Sequence, residues 1–321
     1  MLKVLRLLSD GLFHSGEELG EMIGVSRSSI WKYLQRIERD YGIELHRIPG
    51  KGYRLAEALS LLNAERINDA LSPYGWSLHF FDEVDSTNAE ALRLLRSDAS
   101  APFVVLAESQ TDGRGRRGRR WKSPAVQNIY FTLALRVTGG GRALSGLSLV
   151  VGLAVRRTLD RLGVSDCGVK WPNDVYTDNR KIAGILLELT GDPADVCHVV
   201  IGIGINVNMD LLGIDVDQPW TSVKQRLGQS VDRNDLVGHL VESLHNYLCR
   251  HAEEGFAPFR AEWESENIWQ GRRCTLRTGA FEVRGLVLGV DDQGALRLLI
   301  DGAGERSFSG GELSLRLEND S

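Results

Sequence analysis

The sequence predicts a multidomain α+β chain, on the strength of two changes in its hydrophobic period. Apolar residues recur at helical spacing through about residue 60. They alternate between strand-like and helix-like runs from about residue 76, then fall into short strands between turn signals from Arg272 onward. At 321 residues the chain is too long for one ordinary domain. These boundaries divide it into units 1–60, 61–269 and 270–321.

In the first unit, Leu2, Leu5 and Leu8 predict a short amphipathic helix that Gly11 ends. Ser15 opens a second helix with Glu18 as its capping-box partner, and Leu19, Met22 and Ile23 form its inner face. Gly24-Val25 makes a tight turn. Ser26 caps a third helix running to about Asp40, with Ile30, Leu34 and Ile37 inward. Glu44–Ile48 and Tyr53–Leu55 make a hairpin around Pro49-Gly50-Lys51-Gly52. This order is that of a winged helix-turn-helix. Arg27, Ser28 and Ser29 are expected to face DNA bases, with Lys32, Arg36 and Lys51 on phosphates.

Composition agrees with that local reading. The net charge of −5 argues against nucleic-acid binding by the whole surface, but residues 27–54 hold seven Lys/Arg against three acids. The 42% hydrophobic and 25% charged residues exclude a fibrous or disordered chain. No apolar run approaches the ~18 residues of a membrane span, and the start carries no secretory signal pattern. Cys167, Cys197, Cys249 and Cys274 stand far apart without metal-ligand spacing. Reduced thiols and a cytoplasmic location are the expectation.

In the second unit, strands are expected at Leu78–Asp82, Phe103–Ser109, Asn128–Val137, Gly168–Trp171, Lys181–Thr190 and His198–Asn208. Helices are expected at Glu90–Arg96, Arg142–Leu162 and Arg233–Glu254. Three local signals stand out. Gly113–Trp121 holds five arginines and no acid. Its formal G-x-G-x-x-G is not a dinucleotide fingerprint, because Pro124 forbids the helix and no Asp or Glu occurs between Gly113 and Asp160. Glycines and guanidiniums instead suit a polyphosphate, and charge repulsion predicts a loop that orders on ligand binding. Lys170-Trp-Pro-Asn-Asp174, with Lys181 on the next strand, is either a site or a turn; Gly202-Ile-Gly204-Ile-Asn206 marks close approach by a ligand or by another backbone. The third unit reads as a small β-barrel, with strands at Cys274–Thr278, Phe281–Val290, Ala295–Asp301, Arg306–Ser309 and Leu313–Leu317.

Together these elements resemble the bifunctional biotin–protein ligase and biotin-operon repressor family over nearly the whole chain. Further motifs that carry the resemblance are His14-Ser-Gly-Glu17, Gly50-Lys-Gly-Tyr53, Asp85-Ser-Thr-Asn88, Lys181-Ile-Ala-Gly184, Asp232-Arg-Asn234 and Gly310-Gly-Glu312. The resemblance implies a class II synthetase-like central domain and an SH3-like tail. It implies activation of biotin by ATP and magnesium to biotinyl-5′-AMP, then transfer to a lysine of the biotin carboxyl carrier protein of acetyl-CoA carboxylase. It also implies repression at the operator DNA of biotin biosynthesis genes by a homodimer that carries biotinyl-AMP, with no membrane partner.

The roles the resemblance implies fall on named residues. Ser86, Thr87, Asn88 and Gln110 would serve the ureido end of biotin. Gly113, Arg114, Gly115 and Arg116 would close over the ligand, and Gly184 and Gly202 would leave room for its ring. Lys181, Arg116 and Lys170 would be catalytic. Arg119, Trp121, Asn173, Asp174, Asn206 and Trp220 would serve ATP, Asp174 holding magnesium, with Arg316 a further adenine contact. An adenine-covering loop is expected at 209–219. Ile185–Thr190 is expected to pair edge to edge with a second copy. Two other functions compete: a ligand-sensing repressor without ligase activity, which would not need the phosphate cage, and a lipoate or octanoate ligase-transferase, which would lack the winged helix and arginine loop.

Overall fold

In the computed structural model, residues 1–138, 140–192, 196–210, 218–277, 282–310 and 313–317 are described. Most of the adenine-covering loop (211–217), Thr278 and Phe281 of two expected strands, and Gly311-Glu312 lie outside those residues.

The N-terminal unit consists of α1 (Leu2–Leu8), α2 (Gly16–Ile23), α3 (Arg27–Tyr41), β1 (Leu45–Ile48) and β2 (Gly52–Leu55). The Ser15/Glu18 capping box forms in full, and Ser26 caps α3 through the Ser29 N–H. The wing is tied down by a bridge between His14 and Tyr53. At that crossing only a glycine fits at position 52, where φ is +100° and a Cβ would stand 2.0 Å from the His14 carbonyl oxygen. Buried Leu5, Leu8, Leu19, Ile30, Leu34 and Ile37 share a core with Ala125 and Val126, so the segment after the arginine loop packs on the winged helix. Gln127 adds a hydrogen bond of 3.0 Å to the Tyr41 carbonyl.

The central unit opens with α4 (Ala64–Leu71), β3 (Ser77–Phe81), α5 (Thr87–Arg96), β4 (Phe103–Ala107) and β5 (Ile129–Thr138). It continues with α6 (Gly140–Leu144), α7 (Leu147–Arg161), β6 (Cys167–Lys170), β7 (Asp174–Thr177), β8 (Arg180–Gly191) and β9 (Val196–Ile205), and ends with α8 (Val223–Leu227), α9 (Arg233–Glu254) and α10 (Arg260–Glu266). Its seven strands form one mixed sheet in the order β3-β4-β5-β9-β8-β7-β6, in which only β3 and β4 run parallel. The main core lies between this sheet and α4, α7 and α9.

Three expectations need correction. The helix expected from Glu90 begins at Thr87, because Ser86 caps it through the Ala89 N–H. The single helix expected over 142–162 is two, α6 and α7. Gly146 has φ +65°, and the Phe256 ring stands 2.2 Å from where its Cβ would be. Asp174, the last residue of the expected turn, instead opens a strand, Asp174–Thr177, hydrogen-bonded on both sides.

The C-terminal strands β10 (Arg273–Arg277), β11 (Glu282–Val290), β12 (Leu296–Ile300), β13 (Gly304–Phe308) and β14 (Ser314–Leu317) form an antiparallel sheet in the order β13-β12-β11-β10-β14. This sheet shares a core with Trp171, Trp263 and Trp269 of the central unit. The Trp171 indole N–H donates to the Gly294 carbonyl at 3.2 Å. All four cysteines are free, and no described helix is long and apolar enough to cross a membrane.

Candidate active site and DNA-facing surface

Because β3 and β4 are parallel, their carboxyl ends reach the same edge of the sheet, where Val84 and Gln110 bridge. This brings Ser86, Thr87 and Asn88, at the start of α5, beside Gln110. Thr87 N–H donates to Gln110 Oε1 at 2.9 Å, and Gln110 Nε2 donates to Ser123 at 2.8 Å. Arg93 secures the turn before them: its hydrogen bonds hold the Asp85 carboxyl down to about 2, aided by the Ser86 N–H.

Gly113–Trp121 folds back as a hairpin. Gly115 N–H donates to Arg119 O, and Trp121 N–H to Gly113 O, both at 2.8 Å. The turn takes left-handed φ values at Arg117 and Gly118. The lack of a Cβ at Gly113 serves the hairpin itself, because a Cβ there would lie 2.5 Å from the Trp121 carbonyl oxygen.

Three glycines on adjacent strands leave a bare patch of sheet on the cavity wall, where Gly184 and Gly202 are expected to leave room for the ligand ring, and protein side chains stand close against the same patch. A Cβ on Gly202 would meet the Asn88 amide at 2.3 Å. One on Gly184 would meet Lys181 and Trp121 at 3.0–3.1 Å, and one on Gly204 the Trp121 indole at 2.5 Å. Gly204→Ala should therefore cost about 1–3 kcal/mol of stability by overpacking. In a Trp121→Ala background the same change should cost almost nothing. Equal costs in the two backgrounds, measured by denaturant unfolding, would mean that the indole does not rest on Gly204.

The Lys170–Asp174 segment organises the cations. Asn173 Oδ1 accepts from Arg116 at 3.2 Å while its Nδ2 donates to the Ile185 carbonyl at 2.6 Å. The Asp174 carboxylate contacts Lys181 Nζ at 2.7 Å, with both side chains largely buried. Burial pushes the Arg116 guanidinium below its usual range, and Asp174 opposes that shift. Lys181 also faces the Trp121 ring at 5.3 Å. Its own strand start is bracketed by backbone hydrogen bonds to Pro219 and Thr221. Lys170 sits over Trp269 at 4.0 Å and Tyr176 at 4.6 Å, toward the C-terminal sheet.

These groups wall one cavity of about 1370 Å³. Of the expected residues it brings together Ser86, Thr87, Asn88, Gln110, Arg114–Arg116, Arg119, Trp121, Lys170, Asn173, Asp174, Lys181, Gly184, Gly202 and Arg316. Gly113, Asn206 and Trp220 stand outside its wall. Asn206 donates to the Thr221 carbonyl at 3.0 Å, and Trp220 is buried beside Lys181. Sequence reasoning missed Tyr176, Trp269 and Arg272 on the wall, and Thr132, Ser123 and Glu188 behind it. A threonine inside the apolar run of β5 was the available signal for Thr132. Among the described residues no cluster of three or more His, Cys, Asp or Glu could hold a metal ion. Asp174 brings one carboxylate, which is the share a protein gives a magnesium ion carried in on nucleotide phosphates.

On the winged helix, Arg27, Ser28, Lys32, Arg36 and Lys51 are exposed on α3 and the wing tip. Ser29 is half-buried, its hydroxyl 3.0 Å from Ser26 Oγ in the helix cap. Trp31 stands exposed between Ile30 and Lys32.

Residues 80–206 match the model of the Biotin/lipoate A/B protein ligase family, residues 1–54 an HTH domain, and residues 271–316 the Biotin protein ligase C terminal domain. The chain is 42% identical to the Bifunctional ligase/repressor BirA of Escherichia coli (strain K12), over 98% of its own length and 97% of that protein's. It is 40% identical to the Biotin–[acetyl-CoA-carboxylase] ligase of Paracoccus denitrificans, over 67% of this chain and 90% of the relative. Among solved structures, the biotin protein ligase from Aquifex aeolicus in complex with biotin and ATP superposes with a TM-score of 0.66 at 30% identity, covering 75% of this chain and 99% of that one.

Proposed function

The chain belongs to the family of bifunctional biotin–protein ligases and repressors, and from that premise we propose how its own residues carry out both activities. It is a biotin ligase that uses ATP. A biotin carboxylate oxygen attacks the α-phosphorus of ATP, a P–O bond forms, and pyrophosphate leaves with its bridging oxygen. The amine of an acceptor lysine then attacks the acyl carbon, loses a proton as the amide forms, and AMP departs. The acceptor is the carboxyl carrier protein of acetyl-CoA carboxylase.

One observation carries this reading: a polar pocket and a cationic cage open into the same cavity. Ser86, Thr87, Asn88 and Gln110 line the pocket and take the ureido ring. Arg116 and Lys181, steadied by Asn173 and Asp174, offset the charge that develops on the α-phosphate. Magnesium would enter with ATP and screen its phosphate charge; Asp174 is the residue that would hold it. Lys170, Arg119 and Arg316 line the polyphosphate and adenine side, with Asn206 and Trp220 bracing the segment behind it. We read the domain limits as 1–60, 61–269 and 270–321.

As repressor, the chain places α3 in the major groove and the wing on phosphates, in the cytoplasm. It does so as a homodimer formed on biotinyl-AMP. Support for the dimer comes from β8: its pairing with β7 ends at Gly184 and Asn173 takes both the N–H and the carbonyl of Ile185, which leaves the outer edge of Leu187–Thr190, within the expected Ile185–Thr190, for a second copy.

Biotin-dependent exchange of labelled pyrophosphate into ATP tests the ligase. Exchange with biotin and not with lipoate is expected. Exchange with neither acid would leave the cavity as a ligand sensor and overturn the catalytic reading.

A further inference from the structure

Six large apolar side chains are exposed among the described residues, and Trp31 is the one aromatic ring among them, at 49% exposure. Packing does not account for it. Among the described residues its indole N–H has no hydrogen-bond partner, and no other ring or cation stacks on it. Helix propensity does not favour it either, because tryptophan ranks below alanine, arginine, lysine or glutamine inside a helix.

Its place on α3 is informative. Ile30, Leu34 and Ile37 form the buried face of that helix. Trp31 stands one turn beyond Arg27 and Ser28 and one turn before Gln35, all of them exposed. Long side chains in a helix lean toward its N-terminus, so the ring covers the Arg27–Ser28 turn. In a helix-turn-helix that end of the recognition helix meets the bases. Residues 26–37 hold Arg27, Lys32 and Arg36 and no acid. The exposed ring therefore sits in a cationic surface, which suits a polyanion rather than the apolar face of another protein.

We infer that Trp31 is a specificity-determining residue of the repressor, seating a thymine methyl in the major groove. This rests on the reading above that α3 enters that groove. Base edges there offer donors, acceptors and one apolar group, the C5-methyl of thymine. An indole ring gains most against the methyl, because both surfaces leave water.

The test uses the full chain with biotin and ATP, on duplexes it selects from random sequence. Each thymine of a selected site is replaced in turn by uracil, which removes one methyl and nothing else. At one thymine in the footprint of α3 the parent should lose about fourfold in affinity, the worth of one buried carbon. Trp31→Ala should show no such loss at that thymine. At the same place 5-methylcytosine should bind better than cytosine, again in the parent alone. Trp31→Gln, a good helix former without the ring, should behave as Trp31→Ala, and Trp31→Phe should keep the methyl effect. The salt dependence of binding should not move, because no phosphate contact is lost, and pyrophosphate exchange should equal the parent's. No sensitive thymine in the parent, or a uracil penalty that persists in full in Trp31→Ala and Trp31→Gln, overturns the inference and leaves α3 as the reading helix. A parent that selects no sequence overturns the DNA reading and the inference with it.

Discussion

Replacing Lys181 with alanine should slow formation of biotinyl-5′-AMP by about 10²–10³-fold while the protein stays folded. The step builds negative charge on a phosphate beside an ammonium whose side chain is largely buried. A fixed cation there stabilises the transition state more than it would in water, and it needs no reorganisation as the charge appears. Lys181 is fixed twice. Its backbone is pinned by Pro219 and Thr221, and its ammonium lies 2.7 Å from Asp174. Alanine keeps the first restraint and removes the charge, so the strand survives and the chemistry suffers. Arg116→Ala should act in the same direction, because Asn173 aims that guanidinium into the same cavity. Its loss should also speed escape of the adenylate, since on the proposed reading the hairpin that carries it closes over the ligand. The two effects should not add, because each cation partly compensates for the other. Single-turnover adenylate formation and the adenylate off-rate read both. Unchanged values in both variants would remove Lys181 and Arg116 from the catalytic cage.

Sequence and structure part company where a residue's role depends on distant partners. The winged helix was legible because its signals are local: a capping box, a serine cap and glycine turns each act within four residues. The Gly113–Trp121 loop stood out by its charge and lines the cavity, but it was not legible as a hairpin, since no apolar alternation marks it. The glycines of β9, Gly202 and Gly204, were legible as points of close approach. What approaches them, Asn88 on α5 and Trp121 on the loop, comes from elements far away in sequence. Helix α4 escaped notice because Ile67 and Leu71 are its only buried apolar residues, too few to show a period. Helix α7 was read too long because its break at Gly146 is set by the Phe256 ring, not by local propensity. Arg233 shows the gap most sharply. The sequence marked it as part of Asp232-Arg-Asn234 and gave it no task, because its partners lie at residues 60, 108 and 128.

That arginine carries the second large effect: Arg233→Met should destabilise the protein by about 3–5 kcal/mol. Arg233 and Glu108 are both fully buried and paired at 2.7 Å. The guanidinium also donates to the Ser60 carbonyl at 2.7 Å and the Asn128 carbonyl at 2.9 Å. Glu108 in turn accepts the Leu62 N–H at 2.7 Å. Methionine fills much of the same volume but leaves the carboxylate buried without a counter-charge, and that, more than the lost attraction, sets the cost. At about 2–4 °C per kcal/mol for a chain of this size, the melting temperature should fall by roughly 10 °C. Arg233→Met combined with Glu108→Leu removes both charges and should recover most of the loss. A residue of about 1–3 kcal/mol should persist, because the Leu62 N–H then has no acceptor. The consequence reaches beyond stability. Ser60–Leu62 joins the winged helix to the ligase, Glu108 lies two residues before Gln110, and Asn128 also accepts the Val207 N–H just after β9. One buried pair thus ties the linker to the segments that follow β4 and β9. Thermal unfolding of the two variants separates the cases: a single variant as stable as the parent would mean that water reaches the pair, and a double variant no better than the single would mean that the carbonyl contacts, not the buried charge, dominate.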